Sequence, residues 1–302
     1  MKYSLKRFLQ NIIYLARYNL KDINNNSLVY MKHRINFAAK LRNEIKNDFD
    51  ILKPPRVKSA ADTMKELVNT NKSIIRFGDG EYIIMGGGGG IPFQEYNKEL
   101  ADKLSEIILS DYENLLIGLS GGHFHSPSPD ANNIALEYDY SWVVENYNLI
   151  MKRTIPGKEY ACGGISQVYA WDSNRKEETQ KHYDMFKQIF SNKKIMLVCG
   201  DKILVDIKFN ILEGSQVEYI YGPTKHAYGD IDRLRKELND KVSGDEVLLF
   251  ALGPAGKVLA YEMFLKGFRV LDIGHTIKDY DTYMRGVEMT DETIKDFFAP
   301  DE

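Results

Sequence analysis

Cysteine is nearly absent: only Cys162 and Cys199 occur in 302 residues, far apart and in unlike contexts. That excludes a disulfide framework and a cysteine zinc site, and it fits a reducing, cytoplasmic setting. No apolar run approaches the roughly 20 residues that a membrane span needs. The amino terminus places charge on both sides of short apolar pieces, so a secretory signal's continuous hydrophobic region is also missing. The five glycines at 86–90 are not followed by Gly-Lys-Ser/Thr, which excludes a Walker loop. A Gly-x-Gly-x-x-Gly after the first strand is missing as well, which argues against a nicotinamide oxidoreductase. There is no internal repeat and no extended disordered tract, apart from a loose tail expected over residues 286–302.

What is present is a globular composition, 43% hydrophobic and 27% charged, with a net charge of -3. The length suits one large domain or two modest ones with a real core. The near-neutral total hides an asymmetry: residues 1–58 hold 13 Lys/Arg against 4 Asp/Glu, leaving the remainder acidic. Leu5, Phe8, Leu9, Ile12, Ile13 and Leu15 recur at mostly helical spacing, with Lys6, Arg7 and Arg17 interleaved. A second pattern runs from Met31 through Ile35, Phe37, Ala38 and Leu41 to Ile45. This basic helical extension suits either peripheral contact with an anionic membrane through residues 1–50 or two helices packed on the main domain. The second is the plainer reading, since no clear aromatic anchor cluster accompanies the charge. Nucleic acid is not an expected partner, because no binding motif is present.

Pro54 and Pro55 mark a boundary, and residues 59–285 then alternate between helix and strand. Helices are predicted over 60–69, 97–109, 177–190 and 258–265. Strands are predicted over 73–77, 115–119, 195–199, 217–221, 247–252 and 268–273. Short Val/Ile/Leu strands separated by helices imply an α/β fold with a mainly parallel sheet covered on both faces.

The first strand, ending at Arg76-Phe77, stops abruptly in Gly78-Asp79-Gly80-Glu81. In open α/β sheets ligands bind at the carboxyl edge of the strands, where this turn lies. Two carboxylates one residue apart can share a hard divalent cation, Mg²⁺ or Mn²⁺, through oxygen. Arg76 beside them suits a phosphate, which its planar fork binds in a bidentate way. Asp-Gly-Glu is equally ordinary turn chemistry, and the choice rests on its company.

That company lies further along the chain. The glycine run is either a pliable loop that brings backbone N–H groups to a ligand or a surface turn. Gly253-Pro254 opens a helix after a strand, with Lys257 close by. The arrangement suits an anion at the helix start, or is a plain strand-to-helix turn. Asp272 and His275 fall at the same sheet edge, with Asp279 just beyond; each is a candidate base, and His275 or a carboxylate a candidate ligand. Lys225 and His226 mark another polar strand exit, and His123 and His125 form an i, i+2 pair without a third ligand nearby.

Taken in order, these residues resemble the bacterial GT-D-type glycosyltransferases, formerly a domain of unknown function. The resemblance is carried by Arg76-Phe77-Gly78-Asp79-Gly80-Glu81, Phe93-Gln94 with Tyr96, Gly164-Ile165-Ser166, Glu218-Tyr219-Ile220, Gly253-Pro254 and Asp272-Ile273-Gly274-His275. It runs from about residue 59 to 285 and leaves out the basic extension. It implies a Rossmann-like fold, a UDP-sugar donor, a glycan or glycosylated acceptor, and Mn²⁺ or Mg²⁺ held by an Asp-x-Glu motif that falls on Asp79 and Glu81. Donor contacts are then expected from Arg76, Phe77, Gly78, Lys225, Gly253, Pro254 and Lys257, and the acceptor's base from Asp272, His275 or Asp279. Gln167 stands where the family commonly has arginine, Ile277 where it has an acidic residue, and Asp279-Tyr280 where it has Glu-Tyr. A metal-dependent nucleotide-sugar hydrolase or phosphoesterase uses the same parts, as does a non-catalytic UDP-binding scaffold.

Overall fold

The computed structural model describes residues 55–121, 142–173, 175–290 and 292–299, together with Leu5, Leu9, Ile12 and Ile13. His123, His125 and the second apolar pattern, from Met31 to Ile45, lie outside the described residues. Among the described residues eight strands form one sheet: β1 (Arg56–Val57), β2 (Ser73–Arg76), β3 (Leu115–Leu119), β4 (Glu159–Cys162), β5 (Lys194–Gly200), β6 (Gln216–Gly222), β7 (Val247–Ala251) and β8 (Arg269–Asp272). Their order is β1-β4-β3-β2-β8-β7-β5-β6, and every pairing is parallel. All carboxyl ends therefore share one edge. The central strands β2 and β7 are buried along their whole length, as a sheet covered on both faces requires.

The helices described from residue 55 onward are α1 (Ala60–Asn69), α2 (Asp79–Met85), α3 (Lys98–Ile108), α4 (Val143–Met151), α5 (Val168–Trp171), α6 (Lys176–Phe190), α7 (Ile231–Lys241), α8 (Gly253–Leu265), α9 (Thr276–Met284) and α10 (Thr293–Phe298). On one face Tyr82, Leu104, Leu234 and Leu259 of α2, α3, α7 and α8 meet Ile75, Val198 and Phe250 of the strands. On the other, Met64, Phe186 and Ile277 of α1, α6 and α9 meet Ile74, Leu197 and Leu249. Alternate residues of one strand thus feed opposite cores, as the two-residue period of a strand demands.

Three features depart from the sequence-based expectations. Asp79 and Glu81 do not sit in a loose turn; they open α2, whose start is set by Glu81 reaching back to the Gly78 N–H at 2.8 Å. Arg56 and Val57, just past the two prolines, join the sheet edge against β4 instead of belonging to a helical arm. The described residues after Gly286 are not loose either. Tyr169, Ala170, Met289, Ile294 and Phe297 form a small core of their own, and Val287 O accepts from Tyr169 OH.

Candidate active site

The carboxyl edge gathers four charged side chains from three separated parts of the chain. Arg76 leaves β2 and donates through Nε to the Asp272 carbonyl (2.7 Å) and through Nη2 to Asp272 Oδ1 (2.9 Å). Its Nη1 donates to Gly163 O at 2.9 Å and to Ser166 Oγ at 2.5 Å. The guanidinium thereby ties β2 to β8 and to the short turn after β4. Lys257, one turn into α8, places its ammonium 3.1 Å from Glu81 Oε1 and 3.3 Å from Asp272 Oδ2. All four groups are buried, so removing any one strands the others in a poorly solvating interior.

Charge neighbours set the ionisation of this cluster. Burial by itself would raise Asp272, but Arg76 and Lys257 outweigh it and hold the carboxyl below its usual range. Burial likewise pushes Lys257 down, yet Asp272 and Glu81 reverse that, and the ammonium stays protonated above its ordinary range. Asp79 differs from both. Burial raises it first and the like charge of Glu81 adds to that, opposed only by the backbone N–H groups of Asp79 and Gly80. Among the described residues no basic side chain contributes to its balance.

Several expected roles change with these partners. Four donor contacts of Arg76 point inward, so it acts as a clamp between strands and not as a fork held out to phosphate. The Phe77 side chain belongs to the buried core and is turned away from a ligand at the edge, and its N–H donates to Gly118 O. The Gly78 N–H is taken by Glu81. Asp272 is a low-pKa carboxylate engaged by Arg76 and Lys257, which makes it a poor proton acceptor. Asp279 is wholly buried and faces away from the cluster: it accepts from Tyr169 N (3.1 Å), Ala170 N (2.9 Å) and Tyr183 OH (2.7 Å). It caps α5 and is poorly placed to receive an acceptor's proton.

The remaining candidates rim the same edge. His275 sits half-buried at the start of α9 among Phe93, Phe297 and Phe298, with ring centroids 5.6 to 6.2 Å away. His226 joins the neighbouring loops: its N–H donates to Phe93 O, and its Nδ1 accepts from Glu95 N at 2.9 Å. Lys225, beside it, is exposed at the exit of β6, three strands along from β8. Gly253 and Pro254 open α8 as expected, with Pro254 in the first turn and buried. The glycine run caps α2 and turns the chain into 91–96. A Cβ on Gly90 would meet Glu95 Cα at 2.7 Å, so that loop packs tightly against its own return strand.

Sequence reasoning passed over the groups that hold the site in place. His182, buried on α6, contacts the Ile165 carbonyl at 2.7 Å, and burial drops its pKa to about 4. Its neutral ring thus pins the turn that presents Ser166 to Arg76. Thr63 does the same for the turn's first residue, accepting from Cys162 N. Polar residues on the inner faces of α1 and α6 were the available signal. A cavity of about 210 Å³ lies at the opposite edge of the sheet, lined by Asn71, Lys193 and Arg269. It is remote from this cluster and has no chemistry of its own: Arg269 is spent capping α1 through Leu67 O.

A family model described as a glycosyltransferase of GT-D fold matches residues 74–297, which takes in β2 through α10. Glycosyltransferase GlyD of Streptococcus pneumoniae serotype 4 is 27% identical over 288 residues, covering 91% of this chain and 34% of its own length. A probable glycosyl transferase, Gly, of Streptococcus gordonii is 28% identical over 234 residues, covering 76% of this chain and 33% of its own. The chain thus spans about a third of the length of these curated relatives. A solved glycosyltransferase from Streptococcus sanguinis superposes with a TM-score of 0.71 at 23% identity, over 77% of this chain and 85% of that one. A second structure, of the conserved domain of unknown function 1792 with a distinct glycosyltransferase fold, gives 0.73 at 24% identity, over 82% and 86%. Both likenesses concern the fold. On the match over β2 through α10, the chain belongs to the glycosyltransferase family of GT-D fold.

Proposed function

We propose that this chain transfers a hexose from a UDP-sugar to a hydroxyl of a glycan or glycosylated acceptor, assisted by a divalent cation. The observation that carries the reading is Asp79: a half-buried carboxylate at the ligand edge, raised by burial and by Glu81, with no basic side chain among the described residues offsetting it. Glu81 and Asp272 already share Lys257, and Arg76 holds Asp272. Among the described residues of this cluster, two cations against three carboxylates leave one negative charge, which repels a diphosphate. Hard oxygen donors with surplus negative charge fit Mn²⁺ or Mg²⁺, with Asp79 as the direct ligand and Glu81 beside it. When bound, such an ion makes the edge net positive and steadies charge building on the departing diphosphate.

The chain's own residues do the rest. The acceptor oxygen bonds to the anomeric carbon as the bond to the UDP oxygen breaks. The start of α8 at Gly253 presents the positive end of a helix of 13 residues toward the leaving diphosphate. Arg76, Lys257 and Asp272 keep that edge rigid, so its dipoles need no reorganisation during reaction. Of the three expected bases, His275 is the one still partly open to solvent, and it takes the acceptor's proton if the anomeric centre inverts. Phe93, Phe297 and Phe298 flank its ring and hold its orientation.

The test is release of UDP from a panel of UDP-sugars, with and without sugar acceptors. Release that depends on an acceptor supports transfer. Release without one identifies a hydrolase, and binding without release a scaffold; either result overturns the proposal.

A further inference from the structure

The transferase reading leaves the basic amino-terminal segment unused. Leu5, Leu9, Ile12 and Ile13 are helical and exposed, at 74%, 51%, 46% and 64%. At about 100° per residue these four fall within a single arc of about 100°, the width of an apolar helix face. Exposed apolar residues are normal when scattered singly; four on one helical face are not. For these four side chains the exposure differs from the expectation of a face packed on the main domain, since none of the described residues covers them.

The charge beside that face says what does. Residues 1–21 carry Lys2, Lys6, Arg7, Arg17 and Lys21 and no acidic residue. A protein partner with an apolar groove would need only the stripe. An anionic lipid surface uses both features at once, the apolar face entering the headgroup boundary while Lys and Arg meet lipid phosphates. Five basic residues within 21 positions leave no uncharged run near the roughly 20 residues of a membrane span, so the segment suits lying on a surface and not crossing it. We propose that the face of Leu5, Leu9, Ile12 and Ile13 is an in-plane anchor that seats the chain on an anionic bilayer. The anchor is independent of the sugar-transfer chemistry, since none of its residues belongs to the cluster around Lys257.

The experiment is co-sedimentation of the full chain with vesicles of phosphatidylcholine alone and of phosphatidylcholine containing phosphatidylglycerol. Wild type is expected to pellet with the anionic vesicles only, and less so as salt is raised. Leu9→Ser/Ile13→Ser should weaken that binding about tenfold or more by removing buried apolar area, and Lys6→Gln/Arg7→Gln by removing charge. Both pairs should leave the thermal midpoint and UDP binding unchanged. Equal pelleting of the Ser variant overturns the proposal, as does equal binding to neutral vesicles or no binding by wild type. A concentration-dependent dimer abolished by the Ser variant would assign the stripe to a second copy instead.

Discussion

Arg76 and Gly274 are fitted to each other: a Cβ on residue 274 would lie 1.9 Å from Arg76 Nη2. Gly274 also holds φ at +43°, where side chains are disfavoured. The far end of an arginine usually swings away cheaply. Here it is fixed by contacts to Asp272, Gly163 and Ser166, so it has nowhere to go. Gly274→Ala is therefore expected to cost about 3 kcal/mol or more in chemical denaturation and to reduce activity with it. A variant as stable as wild type would show that the guanidinium is not locked.

Lys257 tests the same network from the α8 side. Lys257→Met keeps the volume of the stem but leaves Glu81 and Asp272 buried without their ammonium. Loss of one partner from a buried pair costs about 3–5 kcal/mol, measurable as a lower denaturation midpoint at unchanged slope. A loss well below 1 kcal/mol would mean that water reaches these carboxylates.

Asp279 offers a test by pH. Burial raises its folded pKa from 3.8 to about 7, against hydrogen bonds from Tyr183, Tyr169 and Ala170. The native state then binds more protons than the unfolded chain between those values. Its contribution is full below about pH 4 and is lost as pH rises through about 7. Asp279→Asn should be less stable at acidic pH and should lack this declining slope between about pH 5 and 8. If the variant keeps wild-type stability but loses activity, Asp279 is a catalytic base after all.

How much of this was legible in the sequence follows from where the physics is local. Buried parallel strands are continuous apolar runs, so β3 was read to the residue and β5 and β6 to within one at each end. Helix α2 was not read, because Gly78, Gly80 and the glycines after Met85 all signal turns; its start depends on one carboxylate reaching back to a backbone N–H. The roles of Arg76 and Asp279 were misjudged for a related reason. An arginine fork suits phosphate, carboxylate or carbonyl alike, and the carboxylate it chose lies 196 positions away. Asp279 looked accessible at a strand exit, and only the packing of α5 and α6 closes over it. Loose-looking residues 287–299 carry apolar groups at spacing too short to stand out, yet they complete a core with Tyr169.

Asp79 should report on cation binding through acidity. Its carboxyl is raised from 3.8, by burial first and by Glu81 second. Protons and a divalent ion compete for the same oxygens, so Mn²⁺ affinity is expected to weaken as pH falls and to begin doing so above the range of an exposed aspartate. Asp79→Asn should flatten that profile and reduce affinity. An unchanged profile in the variant would place the cation elsewhere.

The most direct single measurement is calorimetric titration of UDP into the wild-type chain and Asp79→Ala, each with Mn²⁺ and again with EDTA. The account predicts heat of binding for wild type with Mn²⁺ and at least about a tenfold loss of affinity on removing either the ion or the carboxylate, with the thermal midpoint unchanged. UDP binding of equal strength in all four titrations would contradict the cation site at Asp79, and no binding in any of them would contradict the UDP donor itself.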